Sequence, residues 1–164
     1  MNKNYLFAVL ILISFSIHAQ KYPVKNFTVS DGLNSNSTLC AFQNDDQKLW
    51  IGSTHGINIY DGIQFNNAQE LFDLQHKVVY SIKKHEDKIH IGTNGGLCVY
   101  DGDSLRTYPS TDNGISDFIY TTFQDKNGTI WAATETGIKV FTGSQLIDTL
   151  VHTPLNLIAI YNIH

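Results

Sequence analysis

The chain has 164 residues, with 11 basic and 15 acidic side chains and a formal net charge of -4 at pH 7. Nucleic-acid binding needs clustered lysine and arginine to displace counterions from phosphates, and Arg106 is the single arginine of this sequence. The mildly acidic, mixed composition therefore argues against a nucleic-acid partner. It favours soluble ligands or other proteins.

The N-terminus has the composition of a secretory signal peptide. Lys3 precedes an apolar run of 12 residues from Leu6 to Ile17, and the small residue Ala19 follows. This run is well short of the roughly 20 residues that a membrane-spanning helix needs. We therefore expect residues 1–19 to be removed by cleavage after Ala19, leaving residues 20–164 as the exported protein. An uncleaved N-terminal anchor is the alternative.

Downstream of this segment, one short pattern occurs three times. Its copies are Leu49–Ser53 with Gly56–Gly62, Ile89–Thr93 with Gly96–Gly102, and Ile130–Thr134 with Gly137–Gly143. Trp50 and His90 are 40 residues apart, and His90 and Trp131 are 41 residues apart. This period is typical of the four-stranded blades of β-propellers. The sequence therefore predicts an all-β protein made of propeller blades.

Each repeat contains three clear extended runs and a weaker fourth, rich in β-branched and aromatic residues. The first strands are predicted at Thr38–Gln43, Val78–Lys83 and Ile119–Gln124, and the second at Leu49–Ser53, Ile89–Thr93 and Ile130–Thr134. The third strands are predicted at Ile57–Tyr60, Leu97–Tyr100 and Ile138–Phe141, and the fourth at Ile63–Phe65, Ser104–Thr107 and Gln145–Ile147. Short polar or glycine-containing turns join them, so we expect four antiparallel strands in each blade.

Several residues of the repeat have a predicted packing role. Gly52 and Gly92 lie inside strands, where glycine costs stability unless another backbone or side chain approaches closely. We expect neighbouring sheets to make that approach, with both tryptophans filling the gaps between blades. Cys40 and Cys98 lie in apolar runs and are expected to pack as small hydrophobes, although export would permit a disulfide.

The blades are predicted at about 27–65, 72–107 and 112–147, with a partial fourth blade at 155–164. Leu155–Tyr161 matches a first strand because Ile158 and Ile160 alternate as in the earlier strands. Propellers typically close with four to eight blades, and an open array leaves strand edges and apolar faces uncovered. We therefore expect an incomplete propeller that is the N-terminal piece of a longer protein. Ring closure by self-association is the alternative.

The sequence offers no arrangement typical of catalysis or of metal binding. The histidines downstream of the signal peptide show no metal-ligand spacing on a shared element: His55, His76, His85, His90 and His152, with His164 terminal. No serine, cysteine or carboxylate has the partners of a catalytic group. Asp45 and Asp46 are predicted to be solvated turn residues. We expect neither an enzyme nor a bound cofactor or metal.

A ligand site is predicted at one rim of the propeller, where the turns between second and third strands lie beside the connections between blades. The polar residues predicted there are Asn34, Ser35, Asn36, His55, Asn94 and Asp117. Amides and hydroxyls donate and accept hydrogen bonds, which suits the hydroxyls of a saccharide. The alternative interpretation is that these are ordinary solvated turn residues.

The motifs Gly32–Asn36, Leu49–Ile57 and Tyr60-Asp61 together resemble the two-component regulator propeller repeat. The third repeat resembles it through Gly114–Asp117, Gln124–Trp131 and Gly137-Ile138, whereas the second departs from it with His90 in the tryptophan position. The resemblance implies a seven-bladed periplasmic propeller of a Gram-negative bacterium. It also implies a place at the N-terminus of a membrane-spanning sensor, often glycan-responsive, that controls a cytoplasmic histidine kinase.

Two classes of function follow from these observations. The preferred one is extracytoplasmic sensing of a ligand, and the resemblance implies that this ligand is a glycan. Membrane contact is then expected only through a region beyond this sequence. The alternative is a non-signalling propeller at the cell surface or in a secretion system that binds protein or polysaccharide. A glycan-cleaving propeller is a third hypothesis, and it predicts acidic residues that converge on the central opening.

Overall fold

The computed structural model describes residues 24–67, 74, 77–108, 118–142 and 145–149. In these ranges a single turn of 3-10 helix, Val29–Asp31, precedes twelve strands. The strands form three antiparallel four-stranded sheets, and in each sheet the spatial order follows the chain order. This arrangement is that of three successive blades of an incomplete β-propeller, as the sequence predicts. The predicted partial blade at 155–164 lies outside the described residues.

The strand bounds are as follows. The first sheet has β1 Thr38–Gln43, β2 Leu49–Ser53, β3 Gly56–Tyr60 and β4 Phe65–Asn67. The second has β5 Val79–His85, β6 Lys88–Thr93, β7 Gly96–Tyr100 and β8 Leu105–Tyr108. The third has β9 Ile119–Gln124, β10 Ile130–Thr134, β11 Ile138–Thr142 and β12 Gln145–Thr149. Most predicted strands are confirmed to within two residues at each end.

The predicted start of the fourth strand at Ile63 is wrong. The Asp61 carboxylate accepts hydrogen bonds from the backbone N–H of Ile63 at 2.9 Å and of Gln64 at 2.8 Å. These bonds hold residues 61–64 in a turn, because an aspartate at the start of a turn satisfies the backbone donors that follow it. The strand begins only at Phe65, and Ile63 is 88% exposed.

The first strands of the three sheets lie side by side, with β5 in contact with both β1 and β9. The two strand glycines stand where these sheets approach most closely. A Cβ added at Gly52 would stand 2.5 Å from Cys40 Sγ and 2.7 Å from Val79 Cγ1. At Gly92 it would stand 2.6 Å from Ser81 Oγ, and closer still to the Ile119 carbonyl oxygen. The predicted close approach is confirmed.

The interface between the first and second sheets is apolar. Trp50 is buried there, and its ring lies 6.0 Å from that of Tyr100 on the second sheet. The other buried apolar members of this interface include Ile57, Val79, Ile82, Ile89 and Ile91. Cys40 and Cys98 are both free thiols, and each is packed against this cluster. Trp50 thus fills a gap between blades, and the two cysteines behave as small hydrophobes.

One face of the third sheet is packed against no other described sheet. Phe123, Trp131, Ala133 and Ile138 line a groove on it, and Phe123 is 45% exposed. In the first two sheets the corresponding face is covered by the first strand of the next sheet. We refer to this surface of the third sheet as the open face. A second groove lies on the outer face of the first sheet, lined by Phe27, Leu33, Leu39, Ile51 and Phe65 among others.

Candidate ligand-binding rim

The turns between second and third strands lie at the same end of the sheets as the segments that lead into the first strands. In the first sheet the Thr54 N–H donates to the Ser37 carbonyl at 3.2 Å. In the second the Asn94 N–H donates to the Val78 carbonyl at 3.1 Å. The two sheets are joined at this end because the Gly56 N–H donates to the Lys77 carbonyl at 2.9 Å. We refer to this end as the rim.

A buried hydroxyl closes each rim turn in the same way. Ser53, Thr93 and Thr134 donate from their hydroxyls to the carbonyls of the glycines three residues later, at 3.1, 2.8 and 2.9 Å. Each hydroxyl also accepts from the backbone N–H two residues on, at 3.0, 3.0 and 3.2 Å. The sequence signal for this turn is Ser or Thr followed by glycine at the third position after it, in all three repeats. Its effect is to fix the backbone that presents the rim side chains.

The structure brings Asn34, Ser35 and His55 together at the rim. The Asn34 side chain donates to the carbonyls of His55 and Ile57, both at 3.3 Å. The Ser35 and Thr54 hydroxyls are 2.9 Å apart, and Thr54 also lies 3.0 Å from His55 Nδ1. The Asn34 amide therefore clamps the loop before β1 to the rim turn, and His55 is exposed beside it.

The remaining predicted site residues are placed separately. The Asn36 side-chain oxygen Oδ1 accepts from the Val29 N–H at 2.9 Å, which ties it to the N-terminal turn. The Asn94 side-chain oxygen Oδ1 accepts from the Val78 N–H at 3.0 Å, in the rim turn of the second sheet. Asp117 lies outside the described residues. The amide oxygens of both asparagines thus have a structural partner, and their ligand role stays a prediction.

An aromatic cluster, which the sequence analysis missed, lies near the rim where β5 meets β9. The Tyr80 ring lies 5.2 Å from that of Tyr120 and 5.8 Å from that of Phe118. Register shifts in the pairing of β5 with β6 and of β9 with β10 leave Tyr80 and Tyr120 at β-bulges. Bulges re-aim side chains and are frequent beside functional sites. The sequence shows only a tyrosine at matching positions in two repeats, and the bulge itself has no sequence signal.

Lys77 adds a cation to this rim. Its side chain runs over the Asn94-Gly95 turn, since a Cβ built at Gly95 would stand 3.3 Å from Lys77 Nζ. The Lys77 carbonyl is bonded to the turn of the first sheet, so the residue lies between two rim turns. The part of the rim that the structure describes therefore combines aromatic rings, an ammonium group, an imidazole and amides. Such a surface can stack on an apolar ring face and donate to oxygen atoms.

Carboxylates at the opposite end of the sheets hold turns together. Asp101 accepts from the Ser104 N–H at 2.8 Å, and Asp125 accepts from the Thr129 N–H at 3.0 Å and from Trp131 Nε1 at 3.3 Å. Backbone hydrogen bonds from Ser104 and Asp103 lower the pKa of Asp101. These carboxylates act as backbone acceptors, as in turns that begin with aspartate.

Within the described ranges, no group of three or more His, Cys, Asp or Glu side chains is arranged to hold a metal ion. The same part of the chain contains no helix with the length and apolarity needed to cross a membrane. The fold defines the class: an incomplete β-propeller, whose rim carries polar and aromatic side chains.

Comparison with known proteins agrees with this class. Residues 113–136 match the family described as two component regulator propeller. The chain therefore carries the repeat that its motifs resemble, and this prediction is confirmed. No curated protein matches the chain.

Two solved structures from B. thetaiotaomicron are similar to the described fold. One is the extracellular domain of a protein described as the hybrid two component system BT3049, with 26% identity and a TM-score of 0.60 over 72% of this chain. Another, that of BT4673, has 20% identity and a TM-score of 0.62 over 80% of this chain. The chain spans only 17% and 19% of those two domains. Both are described as extracellular domains of two-component systems.

Proposed function

We propose that this chain is part of the extracytoplasmic, glycan-sensing propeller of a two-component signal-transduction receptor. The observation that carries the proposal is the cluster of Tyr80, Phe118 and Tyr120 beside the polar rim. The similarity to the extracellular domain of BT3049 supports the sensor class. Export to the periplasm of a Gram-negative bacterium is part of the same proposal.

The chemistry of the rim favours a saccharide. Sugars present C–H faces, which pack on aromatic rings, and hydroxyls, which pair with amides, hydroxyls and ammonium groups. Tyr80, Phe118 and Tyr120 are each half-buried, so part of every ring is accessible. Lys77 and His55 supply polar groups at the same end of the sheets. The mixture of ring faces and hydrogen-bonding groups is typical of small-molecule sites.

The open face of the third sheet supports a longer propeller. β5 covers the equivalent face of the first sheet, and β9 covers that of the second. We propose that the first strand of a fourth blade, predicted at Leu155–Tyr161, covers the open face and that further blades complete the ring. Ile160 follows Ile119 by 41 residues, and Ile119 follows Val79 by 40, so Ile160 is the residue expected over Ala133.

Oligosaccharide binding by the full chain tests the glycan proposal. Isothermal titration with a panel of neutral and acidic oligosaccharides should find at least one that binds. Tyr120→Ala should weaken its affinity at least about tenfold, since truncating an aromatic hot-spot residue costs roughly 2 kcal/mol or more. Tyr60→Ala makes the same change at the end of the first sheet opposite the rim, is the matched control, and should bind normally. Equal weakening by both variants, or no binding by any member of the panel, would count against the proposal.

The alternative is a non-signalling propeller that binds protein or polysaccharide at the cell surface. It predicts a different coding sequence downstream of these blades. Sequencing the coding DNA beyond the codon for His164 separates the two. A membrane span and a histidine kinase downstream support the sensor. A short sorting domain in their place supports the adaptor.

A further inference from the structure

The interface between the second and third sheets contains buried polar atoms that have no hydrogen-bond partner in the described part of the chain. They are Ser81 Oγ, His85 Nε2, His90 Nδ1 and Nε2, Thr122 Oγ1 and Gln124 Oε1. These side chains come from β5, β6 and β9 and all face the space between the two sheets. Beside them, Leu97 and Val99 of the second sheet form an apolar cluster with Ile119, Ile130 and Phe141 of the third sheet.

Two histidines form the centre of this group of polar side chains. Their ring centroids are 4.7 Å apart, and His90 is only 1% exposed. His90 occupies the position that holds Trp50 and Trp131 in the other repeats. A neutral imidazole carries one donor and one acceptor, and burying either without a partner costs free energy. Burying the charged imidazolium costs considerably more.

The charges around the pair are positive. Lys83 on β5 and Lys88 on β6 act on the histidines, while β9 presents the uncharged Thr122 and Gln124. Lys139 is the charged residue that β11 of the third sheet carries on this side, paired with Ala132. The nearest carboxylates in sequence, Glu86 and Asp87, belong to the exposed turn between β5 and β6. The lysines therefore disfavour any positive charge on the two histidine rings, whether it is brought by a proton or by a metal ion.

Burial and these charges act in the same direction on both rings. Burial lowers the pKa of His90 to about 4, and the charges of His85 and Lys88 contribute. Burial and then Lys83 lower the pKa of His85, whereas the nearby backbone of Thr122 raises it by a smaller amount. The folded chain therefore favours the neutral form of both rings at pH 7.

We propose that the interface between the second and third sheets is an acid-sensitive joint, in which protonation of His85 and His90 loosens the packing of β9 against β5 and β6. The neighbouring interface, with Trp50 in place of the histidine, does not respond to acid. The joint does not depend on which ligand, if any, the rim binds.

The direction of the effect follows from the two protonation states. The folded state holds the proton less tightly than the unfolded state, so stability is fully present above an unfolded pKa of about 6.5. This stability is lost as the pH falls from about 6.5 towards the pKa of about 4 for His90. Below that pKa, the stability no longer changes with pH through His90. The contribution of His90 alone changes the folding equilibrium by a factor on the order of 10².

Urea unfolding of the full chain between pH 7.5 and 4.5, followed by circular dichroism, tests the joint. The wild type should lose stability on acidification. In His90→Phe this loss should be smaller, because the change of about 10²-fold in the folding equilibrium that His90 contributes is absent. The exposed His55 is the matched control, and His55→Gln should follow the wild type. Superimposable pH profiles of His90→Phe and the wild type would overturn the proposal.

Two further measurements keep the test decisive. If His90→Phe does not fold, His85→Gln takes its place and should flatten the pH profile relative to His55→Gln. A profile for His85→Gln that stays parallel to that of His55→Gln would then overturn the proposal. Titration of the histidine rings by NMR in the folded wild type should find His90 below 6.5, and a value at or above 6.5 would also overturn it.

Discussion

Substituting Gly92 by alanine tests how tightly neighbouring blades are packed. A Cβ at this position would stand 2.6 Å from Ser81 Oγ and closer still to the Ile119 carbonyl oxygen, whereas Cβ atoms in proteins essentially never come within 3.0 Å of such atoms. The serine can rotate, but the carbonyl belongs to the backbone of β9. The whole first strand of the third sheet has to move by several tenths of an ångström.

The expected loss follows from this geometry. Inserting one extra methyl group into a well-packed interior typically costs about 1–3 kcal/mol. Because the obstacle at Gly92 is a backbone atom, we expect Gly92→Ala to lower the free energy of unfolding by about 2–3 kcal/mol. Gly52→Ala meets the Cys40 and Val79 side chains, which can adjust, and should cost about 1–2 kcal/mol.

Urea unfolding at pH 7.5, followed by circular dichroism, measures the loss. Gly95→Ala is the matched control because Gly95 is not among the glycines with positive φ, and the added methyl would contact the flexible end of Lys77. It should change stability by no more than about 0.5 kcal/mol. The reasoning is refuted if Gly92→Ala is no less stable than Gly95→Ala, since the sheets would then not be in the contact described above.

Three further predictions concern a turn, the rim and the thiols. Gln47 has a φ of 66°, so Gln47→Gly should raise the free energy of unfolding by about 0.5–1 kcal/mol in urea melts. Thr93→Val leaves the partners of a buried hydroxyl unpaired and should lower it by about 1–3 kcal/mol. Burial raises the pKa of Cys40 to about 11 and also raises that of Cys98, so both thiols should resist alkylation at pH 8 until urea unfolds the chain.

The results that would contradict these predictions are equally direct. A destabilised Gln47→Gly would mean that its side chain contributes more than its backbone strain costs. Wild-type stability of Thr93→Val would show that the rim turn does not need its hydroxyl. Rapid alkylation of either thiol in the folded chain would show that the interface between the first and second sheets opens readily.

The repeat pattern was enough to predict most of the fold. Alternating apolar residues between glycine-containing turns give the bounds of β1, β2, β9 and β10 without error, because each such strand is bounded by residues that end extended structure. The fourth strands were harder to predict. In the first sheet, the start of β4 depends on which backbone donors Asp61 satisfies. Only the folded turn shows which backbone N–H groups the Asp61 carboxylate reaches.

Less of the candidate site followed from the sequence. Asn34, Ser35 and His55 do meet at one end of the sheets, because the loop before β1 returns to the turn after β2. The sequence did not show that the Asn34 amide is used to hold that loop. Tyr80 and Tyr120 were overlooked because a one-residue bulge turns them out of the regular alternation. Such contacts between repeats arise only when the strands are side by side.

The two uncovered faces of the array differ from each other. The outer face of the first sheet is lined by Phe27, Leu39 and Phe65, whereas the open face carries Trp131 and Phe123. If the outer face of the first sheet in one copy binds the open face of the next copy, the contact is head-to-tail. No twofold axis relates the two copies in such a contact. Copies of this chain that associate through these faces would close into a ring only if the rotation per contact divides a full turn. Any other rotation gives an open helical filament.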